Sequence, residues 1–300
     1  SKYNIFTESL RNEMLSEQEI SGIMATALED RQFVLHYQPQ FNHSTGKLIG
    51  VEALVRWNHP EKGMISPGVF IPIFEKNGFI TRLDLYVFEQ VCVFIRKCMD
   101  KGLPLVPVSS NFSRYDIFQP DFVENLETIR KRHEVPIELV RIEITESAVF
   151  GDSEHANEVV KQLHQCGYIV EMDDFGSGYS SLNVLKDIEL DLIKLDMMFL
   201  VEKSDSNRGG MILSSVVRMA KWLGLPVIAE GVETLEQADF LKSIGCEYIQ
   251  GYFYSRPLPE NQYVEMLTES ALGEKTQQVK IIDNMNAYDF WDPKSQETLI

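Results

Sequence analysis

Eight apolar, β-rich runs punctuate this chain, near 33–37, 48–55, 104–110, 138–144, 168–172, 191–195, 226–229 and 247–250. Between most of them lie stretches with helical spacing, such as Val87, Val91, Ile95 and Cys98, or Ile212, Val216, Met219 and Leu223. A third helical stretch starts at Thr234, with Gln237 completing a capping box, and carries Leu235, Ala238 and Leu241. Strand–helix alternation implies a parallel sheet, and eight units in about 250 residues is the size of a TIM-like (β/α)8 barrel. An open doubly wound sheet is the other architecture with this alternation, because strand number alone does not prove closure.

The flanks differ from this middle. Residues 1–31 read as helix, with Ser16 and Glu19 spelling a capping box ahead of Ile20, Ile23, Met24, Ala27 and Leu28. The 272–300 stretch is polar, with an aromatic cluster at Tyr288, Phe290 and Trp291, and reads as an appended tail or a docking segment. The chain starts at Ser1, which suggests a piece of something longer; an upstream membrane anchor or sensor is compatible with it. No apolar run approaches the roughly 20 residues of a membrane span.

Charge narrows the partners. The 28 Lys and Arg residues against 45 Asp and Glu give a net charge of −17. Long-range repulsion then opposes non-specific binding to nucleic acid or to an anionic membrane. An anionic substrate has to be met by a local device such as a bound metal. The four cysteines, at 92, 98, 166 and 246, contain no CxxC pair and read as reduced thiols of a cytoplasmic protein.

In a barrel the chemistry sits at the C-terminal strand ends. Taken in order, those ends carry Gln38; Glu52 and Arg56; Asn111; Glu143 and Glu146; Asp173 and Asp174; Lys194; Glu230 and Glu233; and Gln250. One acid at a strand end usually caps the next helix or faces water. Six or more aimed at one rim repel each other and call for cations. Carboxylates with one Asn carbonyl suit Mg2+ or Mn2+ rather than zinc, and the adjacent Asp173–Asp174 pair suits two such ions. The near-match to a dinucleotide fingerprint at Gly176–Ser181 lacks its third glycine and follows two aspartates, which would repel a bare pyrophosphate. The six histidines form no HExxH motif.

The sequence resembles the EAL-domain family of cyclic di-GMP phosphodiesterases. The residues that carry the resemblance are Tyr37-Gln-Pro39, Glu52-Ala-Leu-Val-Arg-Trp57, Asn111-Phe-Ser113, Glu143-Ile-Thr-Glu-Ser147, Asp173–Leu182, Ile193-Lys-Leu-Asp196, Ala229-Glu-Gly-Val-Glu-Thr234 and Gln250–Leu258. It implies a TIM-like barrel whose first strand runs antiparallel, and metal-dependent hydrolysis of cyclic di-GMP to linear pGpG. It also implies roles. Glu52, Asn111, Glu143 and Asp173 would hold one Mg2+ or Mn2+ ion; Asp173, Asp174 and Glu230 would hold or support a second. Lys194 would stand beside the hydrolytic water as base or electrostatic stabiliser, with Glu52 and Glu230 in the catalytic set. Gln38 and Arg56 would contact substrate, and Gln250, grouped with them, would position water or the shell of the second metal. Glu146 and Glu233 would brace the 174–182 loop, which the family associates with metal binding and a homodimer. The implied layout is a connector at 1–15 from an upstream sensor or diguanylate-cyclase-like module, the catalytic domain at 16–271, and an appendage at 272–300. The alternative within the family is a non-catalytic cyclic di-GMP receptor that signals through its dimer; the presence of every expected ligand favours the enzyme.

Overall fold

A computed structural model describes residues 8–149, 153–176, 185–196 and 206–272. Within these, α1 (Glu8–Glu29) leads into β1 (Phe33–Asn42), which turns back into β2 (Leu48–His59) and the short β3 (Gly63–Ile65). There follow α2 (Pro67–Asn77), α3 (Ile80–Asp100), β4 (Val108–Phe112), α4 (Arg114–Ile117), α5 (Phe122–Arg132), β5 (Val140–Thr145), α6 (Glu146–Val149), α7 (Ser153–Cys166), β6 (Ile169–Asp173) and β7 (Leu192–Asp196). The chain continues through α8 (Ser206–Trp222), β8 (Val227–Glu230), α9 (Leu235–Ser243), β9 (Tyr248–Gln250), β10 (Leu258–Pro259) and α10 (Glu260–Leu272).

Eight strands close on themselves. Neighbours run in the order β1-β9-β8-β7-β6-β5-β4-β2, and β1 also pairs with β2. β1 is antiparallel to both β2 and β9, while the joins from β2 through β4 to β9 are parallel. The closed barrel with a reversed first strand is thus present, and the open-sheet alternative is excluded. β3 extends β2 as a hairpin, and β10 adds two pairs to the start of β1.

The reversal comes from the β1–β2 connection. Between Asn42 and Leu48 the chain makes a tight turn in which Thr45 N–H donates to Asn42 Oδ1 at 2.9 Å, and Gly46 takes φ 69°. A turn that short joins only antiparallel strands.

Several boundaries differ from the sequence reading. Residues 104–107 do not join β4, because Pro104 and Pro107 lack the N–H a ladder needs; pairing begins at Val108. β1 and β2 extend beyond 37 and 55, to Asn42 and His59. Ser16 does not cap a helix: α1 starts at Glu8, so the Ser16–Glu19 pair lies inside it, where helix-forming residues on both sides outvote a local capping pattern. The second box is as read, since Thr234 Oγ1 accepts from Gln237 N–H at 3.3 Å and Gln237 Oε1 accepts from Thr234 N–H at 3.1 Å. The expected 272–300 appendage, past residue 272, and most of the 174–182 loop lie outside the described residues.

The apolar core lies between barrel and helices. On β5, Val140, Ile142 and Ile144 are buried against the helix layer, so Arg141 and Glu143 project into the barrel. α3 is the most deeply set helix, burying Leu83, Val87, Phe88, Val91, Phe94, Ile95 and Cys98. An aromatic cluster of Phe33, Trp57, Phe70 and Phe74 seals the start of β1 against α2, with Trp57 Nε1 donating to Gln32 at 3.0 Å.

One surface ion pair on α5 carries a pH signature. Arg130 grips Glu127 through two bonds of 2.8 and 2.9 Å, and Lys131 adds a contact at 2.7 Å. The Arg130 guanidinium is the main reason the Glu127 carboxyl falls from an ordinary 4.5 to about 2. A depressed carboxyl stabilises the fold above its unfolded pKa and loses that contribution as pH falls through the folded value. Glu127→Gln should therefore lower the urea midpoint at pH 7, and the gap to wild type should narrow as pH falls from about 4.5 toward 2. A gap that stays constant over that window would show that the ion pair contributes nothing.

Candidate active site

Parallel register delivers the polar side chains to one end of the barrel. Asn111 lies beside Glu143, Glu143 beside Glu171, and Asp196 beside Glu230; across the antiparallel join Gln38 faces Glu52. The centre is Lys194, fully buried on β7. Its Nζ donates to Glu52 Oε2 at 3.0 Å and to Glu143 Oε1, and lies 2.6 Å from Glu230 Oε1 and 3.6 Å from Asp173 Oδ1. Burial acts to discharge the amine, but Asp173, Glu143, Glu230 and Glu52 outweigh it and hold its pKa well above the ordinary value. With no cation on these carboxylates the amine is held as an ammonium.

One ammonium does not balance four carboxylates. Glu143 is pushed well up, first by burial and then by the charge of Glu52. Glu230 is pushed up by burial, with Asp173 and Glu52 adding to it. Asp174, the next residue along, is surface-exposed but rises to about 6, first through partial desolvation of its carboxyl and then through the charge of Asp173. Its backbone holds φ 54°, a left-handed conformation that aspartate tolerates better than most side chains.

Glu52 is held on both sides. Asn111 Nδ2 donates to Oε1 at 2.8 Å, and Gln250 Nε2 donates to Oε2 at 2.5 Å, the oxygen that Lys194 also reaches. Asn111 therefore keeps its carbonyl oxygen for another partner. Gln250 also donates to Gln38 Oε1 at 3.3 Å, while Gln38 Nε2 donates to the Ser255 carbonyl at 3.3 Å. Gly251, directly after Gln250, packs so close to Val232 that an added Cβ would stand 2.1 Å from its carbonyl oxygen. Only glycine fits there.

By contrast, Glu143 Oε2 and Asp173 Oδ1 are buried without a hydrogen-bond donor, Lys194 Nζ lying 3.6 Å from the latter, and Glu230 Oε1 is buried facing the Lys194 ammonium at 2.6 Å. Glu52, Glu143 and Glu230 each offer an oxygen within 4.8 Å of the others and could hold a metal ion. Buried carboxylate oxygens without donors, aimed at one space, are the donor set a hard cation wants.

The remaining expected residues stand apart from this cluster. Arg56, four residues beyond Glu52, is half-buried, with Nη1 donating to the Val55 carbonyl at 2.8 Å. Glu146 is buried at the start of α6 and accepts from Gly176 N–H at 3.1 Å, at the root of the loop after β6. Glu233 is exposed, and its side chain makes no hydrogen bond or ion pair with another described residue.

Sequence reading missed a deeper polar ring. Arg141 Nη1 donates to Glu171 Oε1 at 2.9 Å, and Ser109 Oγ donates to Glu171 Oε2 at 2.6 Å. Gln40 Nε2 donates to Gln250 Oε1 at 2.9 Å, which turns the Gln250 amide nitrogen toward Glu52. The signal was available: Arg141 and Glu171 sit two residues before Glu143 and Asp173, on the same inward face of their strands.

Fold and rim together define a TIM-like barrel with an acid-lined site around a buried lysine at its C-terminal strand ends. The chain belongs to the EAL domain family, whose model matches residues 22–257. It is 36% identical over 258 residues to the bifunctional diguanylate cyclase/cyclic di-GMP phosphodiesterase MucR of Pseudomonas aeruginosa, covering 86% of this chain and 38% of that protein. It is 33% identical over 269 residues to the signaling protein YkoW of Bacillus subtilis, covering 90% of this chain and 34% of that one. The solved MucR phosphodiesterase in complex with c-di-GMP superposes with a TM-score of 0.77 at 36% identity, over 82% of this chain and 99% of that one. The chain thus spans little more than a third of the length of these two curated relatives. Among the described residues no helix is long and apolar enough to cross a membrane.

Proposed function

We propose that this domain hydrolyses cyclic di-GMP to linear pGpG with two Mg2+ or Mn2+ ions. The observation that carries the reading is the set of buried carboxylate oxygens around Lys194: Glu143 Oε2 and Asp173 Oδ1 have no donor, and Glu230 Oε1 meets the lysine. The names of the MucR relative and of its c-di-GMP complex support the choice of substrate.

Glu52, Asn111, Glu143 and Asp173 would hold one ion, and Asp173, Asp174 and Glu230 the other. When bound, such ions polarise a phosphodiester and acidify a coordinated water. The chain's own groups do the rest. Lys194, with its amine among the carboxylates, stands where it can serve the attacking water as a base or, as an ammonium, donate to negative charge that builds on a phosphoryl oxygen. Gln250, turned by Gln40, fixes the outer face of Glu52. Arg56 and Gln38 stand where they can meet the substrate. A water oxygen bonds to phosphorus, one ester P–O bond breaks, and the ring opens to the linear dinucleotide. Glu146 braces the loop root through Gly176, and Glu233 is proposed to brace the same loop from the α9 side.

We further infer the layout read from the sequence: a connector at 1–15 from an upstream sensor or diguanylate-cyclase-like module, a catalytic domain at 16–271, and an appendage at 272–300. MucR, named as bifunctional, supports an upstream module. A homodimer and a cytoplasmic setting belong to the same reading; free thiols at Cys92, Cys98, Cys166 and Cys246 support the latter.

The test is incubation with cyclic di-GMP and Mn2+ or Mg2+, followed by chromatography. Linear product is expected, and a chelator should stop its formation. Intact substrate bound stoichiometrically would replace the enzyme with the non-catalytic receptor.

A further inference from the structure

Behind Asn111, and outside the metal-facing rim, two aspartates meet without a cation. Asp84 lies on α3 and is 9% exposed; Asp116 lies on α4 and is 1% exposed. Both accept from a single N–H, that of Ser113, with Asp84 Oδ2 at 3.2 Å and Asp116 Oδ2 at 2.9 Å. Ser113 Oγ also donates to Asp116 Oδ2, at 2.6 Å. No lysine, arginine or histidine pairs with either acid among the described residues, and the other charged group facing Asp84 is Glu75 on α2, itself an acid.

Two buried carboxylates converging on one donor cannot both be ionised. One of them must hold a proton and give it to the other as a hydrogen bond. We propose that Asp84 and Asp116 share one proton and act, through Ser113, as positioning residues for Asn111. Asp84 is the member that keeps the proton: burial, then the charge of Asp116, pushes its carboxyl well up. Burial pushes Asp116 up as well, but Ser113 donates to it twice and to Asp84 once, so Asp116 is the member better able to carry the charge.

The chain of contacts leads directly to the site. Ser113 ends β4 and starts α4, and Asn111 is two residues earlier on the same strand. The acid pair pins that strand end to α3, whose Leu83, Val87 and Phe88 are buried in the core. Asn111 is the one neutral ligand of the proposed set, and its amide must present nitrogen to Glu52 and oxygen to the ion. A neutral ligand binds weakly unless its orientation is fixed, so its support controls affinity more than that of a carboxylate.

The inference rests on the metal-dependent reading above. Its test compares Asp84→Asn with Asp84→Ala. Asparagine mimics a protonated aspartate: its amide can donate to Asp116 and its oxygen can accept from Ser113. The infrared band of a protonated carboxyl at pH 7.5 should be present in wild type and lost from D84N. Calorimetric Mn2+ titration without substrate should give D84N the wild-type affinity, while D84A binds about 10- to 100-fold more weakly, the usual cost of losing support behind a ligand. If D84A does not fold, Asp116→Ala breaks the same link from the other side and should weaken Mn2+ by the same order. A D84N spectrum with no carboxyl band lost, or an Ala variant that binds Mn2+ as wild type does, overturns this inference alone. A wild-type chain that binds no Mn2+ overturns the metal reading and this inference with it.

Discussion

Asp173→Asn is expected to lower turnover of cyclic di-GMP by roughly 10³-fold or more. A bound dication supplies several kcal/mol of transition-state stabilisation, and each ~1.4 kcal/mol is a factor of ten. Asp173 is assigned to both ions, and one neutral amide oxygen does not bridge two dications as a carboxylate does. The same change should weaken Mn2+ binding by calorimetry while leaving the fold intact, because Asp173 Oδ1 accepts no hydrogen bond that asparagine would lose. Near wild-type activity would remove Asp173 from the bridging position.

Lys194→Met should cost roughly 10²–10⁴-fold in turnover, the range for a charged group acting on the reacting atoms. It should also do something Asp173→Asn does not. Lys194 is the one cation paired with Glu52, Glu143, Asp173 and Glu230 among the described residues. Removing one partner of a buried ion pair typically destabilises by about 3–5 kcal/mol. Added Mn2+ can take over that neutralisation, so a chelator should lower the melting temperature of the variant more than that of wild type. Equal chelator sensitivity in the two proteins would show that the lysine and the metals do not share the same carboxylates. If turnover holds but substrate affinity collapses, the lysine grips phosphate instead.

What the sequence displayed, and what it hid, follow from different physics. Eight apolar runs with helical spacing between them marked the barrel because period-2 and period-3.6 burial is a property of local pattern. The rim acids were legible because each closes such a run: Glu143, Asp173 and Glu230 sit at or near the last residue of β5, β6 and β8. The reversed direction of β1 was supplied by family resemblance; no residue pattern distinguishes an antiparallel first strand from a parallel one, although the short Asn42–Leu48 link constrains it. Asp84 was hidden in plain view. It occupies the stripe of Ile80, Val87 and Val91, where an acid reads as an interruption, and its meaning depends on Asp116, 32 positions away on another helix. The Arg141–Glu171 pair was missed for a similar reason: inside a barrel both faces of a strand are buried, so polarity on the inward face gives no amphipathic signal until closure is known.

Because β1 runs opposite to its neighbours, the polypeptide enters this barrel through the top and not through the floor. Phe33, the first residue of β1, pairs with Trp57 beyond Glu52 and Arg56, so α1 hands the chain over on the same side as the reactive groups. α1 is tied down there by Asn77 on α2 reaching Ser21, by Lys76 meeting Glu17 and by Lys62 meeting Glu19. A torque applied along α1 is therefore delivered to β2 above Glu52 after one turn of chain, with the lever and the load on one deck. In a barrel with all eight strands parallel, the same helix would push on the keel.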